Sequence, residues 1–194
     1  MTPPGPPDAQ LVARARGGDR TAEGELYRRH APRIARTVER LLQSRTEAQD
    51  VVHDTFVLAF RSLKDLRQPE GTGGWLMQIA VRLVHRRLRT ARLLRRLGIG
   101  PDDGEATLAA LAPGATPETR AELALLGRVL RELDPAVRIA WTLRHVDGLK
   151  LTEVAETCST SLTTTKRRLA EADARIRAHV SLELPGDEEE GSHE

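Results

Sequence analysis

The chain has 194 residues, 39% of them hydrophobic but only 3% aromatic, with 30% charged residues and a formal net charge of +2. A core drawn from Leu, Val, Ile and Ala favours helices over sheets. The lone Cys158 excludes an intramolecular disulfide and leaves a cysteine-based structural zinc site without ligands.

The opening MTPPGPPDAQ has neither the basic nor the apolar block of a signal peptide. No apolar run approaches the ~20 residues that cross a bilayer, so a cytoplasmic protein with no membrane insertion of its own is expected. The small net charge conceals segregation. Arg82 to Arg96 is crowded with arginine, whereas Glu183 to Glu194 is almost purely acidic. A polyanion is the expected partner of the basic stretch.

In chain order, residues 1–7 are Pro-rich and expected to be disordered. Asp8 is the expected cap of a first helix carrying Leu11, Val12 and Ala15, which Gly17-Gly18 ends. A second helical stretch follows Thr21 with Leu26 and Tyr27, and Pro32 sits where the first turn of a new helix tolerates proline. Ile34, Val38, Leu41 and Leu42 then form a core-facing stripe. Thr46-Glu-Ala-Gln49 has the form of a capping box. The helix it opens places Val52, Phe56, Ala59 and Leu63 on one face, and Glu47, Asp50 and Asp54 on another.

Arg67 to Gly74 reads as a loop, after which Trp75 opens a long helix burying Leu76, Ile79, Ala80 and Leu83. From Gly98 to Pro117 the pattern collapses into Gly, Pro, Ala and Asp, the composition of a linker. Periodicity resumes with Leu123, Leu126, Leu130 and Leu133, and Asp134-Pro135 restarts a helix that ends near Gly148. The expected fold is all-α. Two small helical domains, 8–97 and 118–180, are joined by a flexible linker, 98–117, and followed by an acidic tail, 181–194.

Leu151, Val154, Ala155 and Cys158 fall at i, i+3, i+4, i+7, so one short helix buries all four. Ser159-Thr160-Ser161 makes a turn with Ser161 as N-cap, and Leu162, Thr165, Leu169, Ala172 and Ile176 give the next helix its buried stripe. Thr163, Thr164, Lys166, Arg167 and Arg168 are left exposed on its first two turns. A recognition helix enters the major groove by its N-terminal portion, where arginine reads guanine and threonine meets a base edge or a thymine methyl. The plain alternative is a helical hairpin with a solvated basic face.

Arg82, His85, Arg86, Arg89, Arg92 and Arg96 lie near one stripe of the Trp75 helix. Like charges on neighbouring turns repel, which favours an anionic partner such as DNA phosphate over a merely solvated face. Glu47, Asp50 and Asp54 beside His53 form an acidic patch on an open helix surface, better suited to docking a protein than to acid–base chemistry. There is no H-E-x-x-H, and GIGPDDG lacks the lysine of a phosphate-binding loop. No enzymatic activity, catalytic residue, cofactor or metal is expected.

In this order the segments DAQLVARARGGDRTAEGELYRRHAPRIAR, EAQDVVHDTFVLAF, GWLMQIAVRLVHRRLR and LRELDPAVRIAWTLRHVDGLKLTEVAETCSTSLTTTKRRLAEADARI resemble a bacterial extracytoplasmic-function (ECF) sigma factor. The resemblance covers most of residues 8–177. It implies that Glu47, Asp50, Val51, His53, Asp54 and Phe56 belong to the helix that docks on core RNA polymerase. It assigns Trp75, Met77, Gln78, Arg82, His85, Arg86 and Arg89 to melting and reading the minus-ten promoter element. Ser161, Thr163, Thr164, Lys166, Arg167, Arg168 and Glu171 are assigned to the minus-thirty-five element. An anti-sigma factor is a further expected partner. The sequence departs from the family pattern at Met77, often aromatic, at Arg82 and Arg86, often Asn and Asp, and at Ser159, commonly Gly. It is also less basic at Ala170 and Glu171. On the residues alone, a free-standing helix-turn-helix regulator is the alternative, although it would leave the acidic helix and the arginine helix without a role.

Overall fold

The structure is a computed structural model that describes residues 5–99 and 114–183. The first residues of the Pro-rich start, most of the linker and the acidic tail beyond 183 lie outside them. Eight α-helices and no strand occur among the described residues. They are α1 (Asp8–Arg16), α2 (Arg20–Leu42), α3 (Arg45–Arg61), α4 (Thr72–Arg96), α5 (Pro117–Glu132), α6 (Pro135–Trp141), α7 (Leu151–Thr157) and α8 (Leu162–Glu183). The last runs a few residues beyond the expected domain end at 180.

The apolar stripes are where the periodicity puts them. Leu11, Val12 and Ala15 of α1 pack with Leu26 of α2 and with Leu63 and Leu66 after α3. Ile34, Val38 and Leu41 join Val52, Phe56 and Ala59 of α3 and Leu76, Ala80 and Val84 of α4. Leu130, Leu133, Val137 and Ala172 form a smaller cluster in the C-terminal half.

Three local expectations are corrected. Pro7, not Asp8, occupies the N-cap of α1, and the Asp8 carboxylate instead takes Arg29 at 2.7 Å and His30 at 2.8 Å. Pro32 starts no new helix but lies inside α2. A proline there forfeits a backbone hydrogen bond and costs about 3 kcal/mol. Buried Leu26 and Ala31 before it and Ile34, Val38 and Leu41 after it hold both halves to the core, while the ring itself faces solvent. The cap of α3 is Ser44, whose hydroxyl accepts from the Glu47 N–H at 3.3 Å, so the capping residue lies two positions before Thr46. Asp134 does cap α6, accepting from the Ala136 N–H at 3.0 Å, and a single π-helical turn over Thr142–Val146 follows that helix.

The turn between α7 and α8 closes α7 with paired bonds. Ser159 N–H donates to the Glu156 carbonyl at 3.0 Å and Thr160 N–H to the Ala155 carbonyl at 2.9 Å. This geometry needs a left-handed residue after the helix, normally glycine, and Ser159 meets it with φ of 51°. Ser159→Gly is expected to relieve the Cβ clash and stabilise the protein by up to about 1 kcal/mol. Thermal unfolding should shift upward by about 2–4 °C; an unchanged or lower midpoint would contradict the assignment of strain to this residue.

Candidate nucleic-acid and partner interfaces

The acidic face of α3 is real but narrower than its motif. Glu47 and Asp50 expose 54% and 64% of their side chains, His53 is exposed and Asp54 half-buried. Val51 and Phe56 are core residues, 0% and 3% exposed, and neither can touch a partner from the folded helix. Phe56 packs on the Tyr27 ring at 4.6 Å and the Phe60 ring at 5.7 Å. Both therefore belong to the motif because they seat α3. One contributor escaped the sequence reading: Arg87 of α4 stands 3.7 Å from Asp50 and 3.9 Å from Glu47. Its position off the arginine stripe was the available signal.

On α4, Trp75 and Gln78 are half-buried, Arg82, Arg86 and Arg89 exposed, and His85 half-buried. Met77 is 5% exposed and part of the core, so it presents no surface to a base. Trp75 packs at the seam of the two N-terminal clusters. Its free side lines a groove of about 460 Å³ with Leu58, Arg61, Ser62, Ile79, Arg82, Leu83 and Arg86. An indole beside three guanidinium groups suits an unstacked base with its phosphates, since bases stack on aromatic rings and arginine carries the backbone charge. Arg61 and Leu58 come from the end of α3 and join the groove only through the α3–α4 packing. A second, basic cleft of about 570 Å³ is lined by His85, Arg86, Arg89, Arg92 and Arg96 with Asp134. Arg92 meets Asp134 at 2.7 Å. Burial first, then the Arg89 charge, holds His85 below its ordinary pKa.

The helix-turn-helix forms with Val154 and Ala155 buried and Cys158 and Leu151 half-buried. Ser161 caps α8, its hydroxyl accepting from the Thr164 N–H at 3.1 Å. Thr165 and Ala172 are fully buried, and α8 is locked to α6 where Trp141 Nε1 donates to Asp173 at 2.9 Å. Leu162 departs from the expected stripe: it is 45% exposed and lines an open cleft with Thr152, Ala155 and Glu156 of α7. Ser161, Thr163, Lys166, Arg167 and Glu171 are exposed and Thr164 is half-buried. Arg168 is drawn aside into a cleft with Arg82 and His85 of α4. No group of His, Cys, Asp and Glu able to hold a metal occurs among the described residues, and none of their helices is long and apolar enough to cross a membrane.

The two helical bodies have counterparts among known proteins. Residues 26–93 match Sigma-70 region 2 and residues 123–176 match Sigma-70 region 4. The chain is 33% identical to the RNA polymerase sigma factor NccH of Alcaligenes xylosoxydans xylosoxydans over 174 residues, 88% of this chain and 93% of that protein. It is 29% identical to the sigma factor CnrH of Cupriavidus metallidurans, again over 88% and 93% of the two chains. The solved structure of CnrH in complex with the cytosolic domain of CnrY superposes with a TM-score of 0.62 at 26% identity, covering 91% of this chain and 99% of that one. The chain belongs to the ECF sigma factors, RNA polymerase subunits of the Sigma-70 kind that serve transcription initiation. A free-standing regulator is not favoured.

Proposed function

We propose that residues 8–97 dock on core polymerase and open the minus-ten element, while residues 118–180 read the minus-thirty-five element. The observation that carries this division is the groove around Trp75, where an aromatic face meets three arginines at the C-terminal end of the same exposed α3 stripe that bears Glu47 and Asp50 at its start. Glu47, Asp50, His53 and Asp54 make the docking surface, and a basic partner would steer the encounter. Val51 and Phe56 position that surface from beneath. Trp75 stacks an extruded base, and Arg61, Arg82 and Arg86 hold the flanking phosphates. Gln78, His85 and Arg89 extend the contact along α4, and Met77 supports it from the core. On α8, Thr163, Lys166, Arg167 and Glu171 face the major groove. Ser161 and Thr164 set the start of the helix, and Arg168 joins them when it leaves its cleft. Glu171 fits this face by accepting from a cytosine amino group.

The protein works in the cytoplasm, contributes specificity and takes no part in bond chemistry. The CnrH structure is a complex with the cytosolic domain of CnrY, which supports an anti-sigma factor as a third partner. The test is reconstitution with purified core polymerase: the chain should co-elute with core and direct initiation from a duplex promoter. Failure to bind core would overturn the reading. Arg167→Ala should weaken binding to the upstream element by about 1–3 kcal/mol, five- to 150-fold, and relax preference at one base pair. A uniform loss across all sequences would mean that Arg167 contacts phosphate alone.

A further inference from the structure

Residues 62–71, which join α3 to α4, are held in place by the two helices that precede them. The near end rests on α1, where the fully buried Leu11 and Val12 pack with Leu63 and Leu66. Arg16, the last residue of α1, adds two donors across the same turn. Its Nε donates to the Leu63 carbonyl at 3.1 Å and its Nη2 to the Leu66 carbonyl. The planar fork of arginine suits two acceptors at a fixed spacing, which a single ammonium does not. The far end rests on His30 of α2. A Cβ added to Gly73, in the first turn of α4, would stand 3.2 Å from both Cε1 and Nδ1 of that imidazole, so the ring lies against bare backbone. The ring is also tethered. Its Nε2 stands 2.8 Å from the Asp8 carboxylate, which holds Arg29 at 2.7 Å by its other oxygen. The His30 and Asp8 side chains are only 15% and 16% exposed.

We propose that Arg16 and His30 are positioning residues for promoter opening, fixing the span between Ser62 and Trp75 and with it the width of the groove that receives an extruded base. That the groove receives a base rests on the reading above. Neither residue lines the groove, whose walls carry Arg61 and Ser62 on one side of the joining segment and Trp75 on the other. Stacking is sensitive to such a span, because a gap of about 0.5–1 Å already forfeits a quarter to a half of the attraction between touching atoms. Gly73 follows from the same arrangement. Any side chain there would wedge the first turn of α4 away from His30, although alanine is the better helix former. Gly73→Ala therefore separates positioning from stability.

The test is permanganate footprinting with core polymerase and the full chain, on a duplex template carrying a start site that the chain directs. Gly73→Ala and Arg16→Met should each lower the melted fraction about tenfold, the scale of one lost base stack, at unchanged affinity for core. The thermal midpoint of Gly73→Ala should be no lower than that of the natural chain. Gly24→Ala, the same change on α2 where a Cβ meets nothing within 4 Å, should leave melting unaltered. Arg16→Met should also keep the salt dependence of opening, since Arg16 holds carbonyls and not phosphate. A slope flattened by about 0.7, the amount of one single-strand phosphate contact, would make Arg16 a DNA contact and overturn its positioning role. Trp75→Leu is the reference. If it opens the template as well as the natural chain, the groove falls and its positioning residues with it. If Trp75→Leu is impaired while Gly73→Ala and Arg16→Met are not, the positioning alone is overturned. Arg16 is exposed, so Arg16→Met decides the matter if Gly73→Ala fails to fold.

Discussion

Asp50→Arg is expected to weaken assembly with core polymerase by about a hundredfold or more, the scale set by reversing one member of a desolvated interfacial charge pair. The side chain is 64% exposed, so the fold loses nothing that was buried. The new guanidinium would stand close to Arg87, now 3.7 Å from the Asp50 carboxylate, which turns a weak attraction into a repulsion and drives the arginine outward. Surface pairs of this kind contribute about 0–1 kcal/mol to stability, and the melting temperature should move little. Titration of labelled core with the variant checks the expectation, with duplex binding by the same preparation as control. An undiminished affinity for core would remove α3 from the docking surface.

Arg82→Glu combined with Arg86→Glu should suppress open-complex formation about a hundredfold near physiological salt while leaving core binding intact. Both side chains are exposed and line the groove that Trp75 shares. Each lost phosphate contact removes about 0.7 from the slope of log affinity against log salt on a single strand. Two reversals should therefore flatten the slope by at least about 1.4. Permanganate footprinting of the melted region, repeated across a salt series, reads both effects. An unchanged slope would mean that these arginines contact no backbone.

Much of this was legible because it is local. Ile34, Val38 and Leu41 announce their helix by spacing alone, and Ser161 announces a cap by its place before a periodic run. Pro32 signals a helix start because its penalty is local, whereas the packing that outweighs it, on either side along α2, is not. Val51 and Phe56 match the family motif and Met77 departs from it, yet all three are buried and seat α3 and α4; a linear pattern does not distinguish a residue that touches a partner from one beneath it. Arg61 and Arg87 were invisible for the converse reason, since each acquires its role only when α3 lies against α4. Arg168 illustrates the largest gap. Its helical register marks it as groove-facing, yet the docking of α6–α8 on α4 turns it inward. Only the three-dimensional arrangement of the two halves could reveal this.

The most direct test of the central claim is to sequence the transcripts begun on genomic DNA by purified core polymerase supplied with this chain. The account predicts start sites absent with core alone, sharing two sequence blocks at a fixed spacing upstream and vanishing with the Asp50→Arg protein. Start sites identical to those of core alone would contradict it.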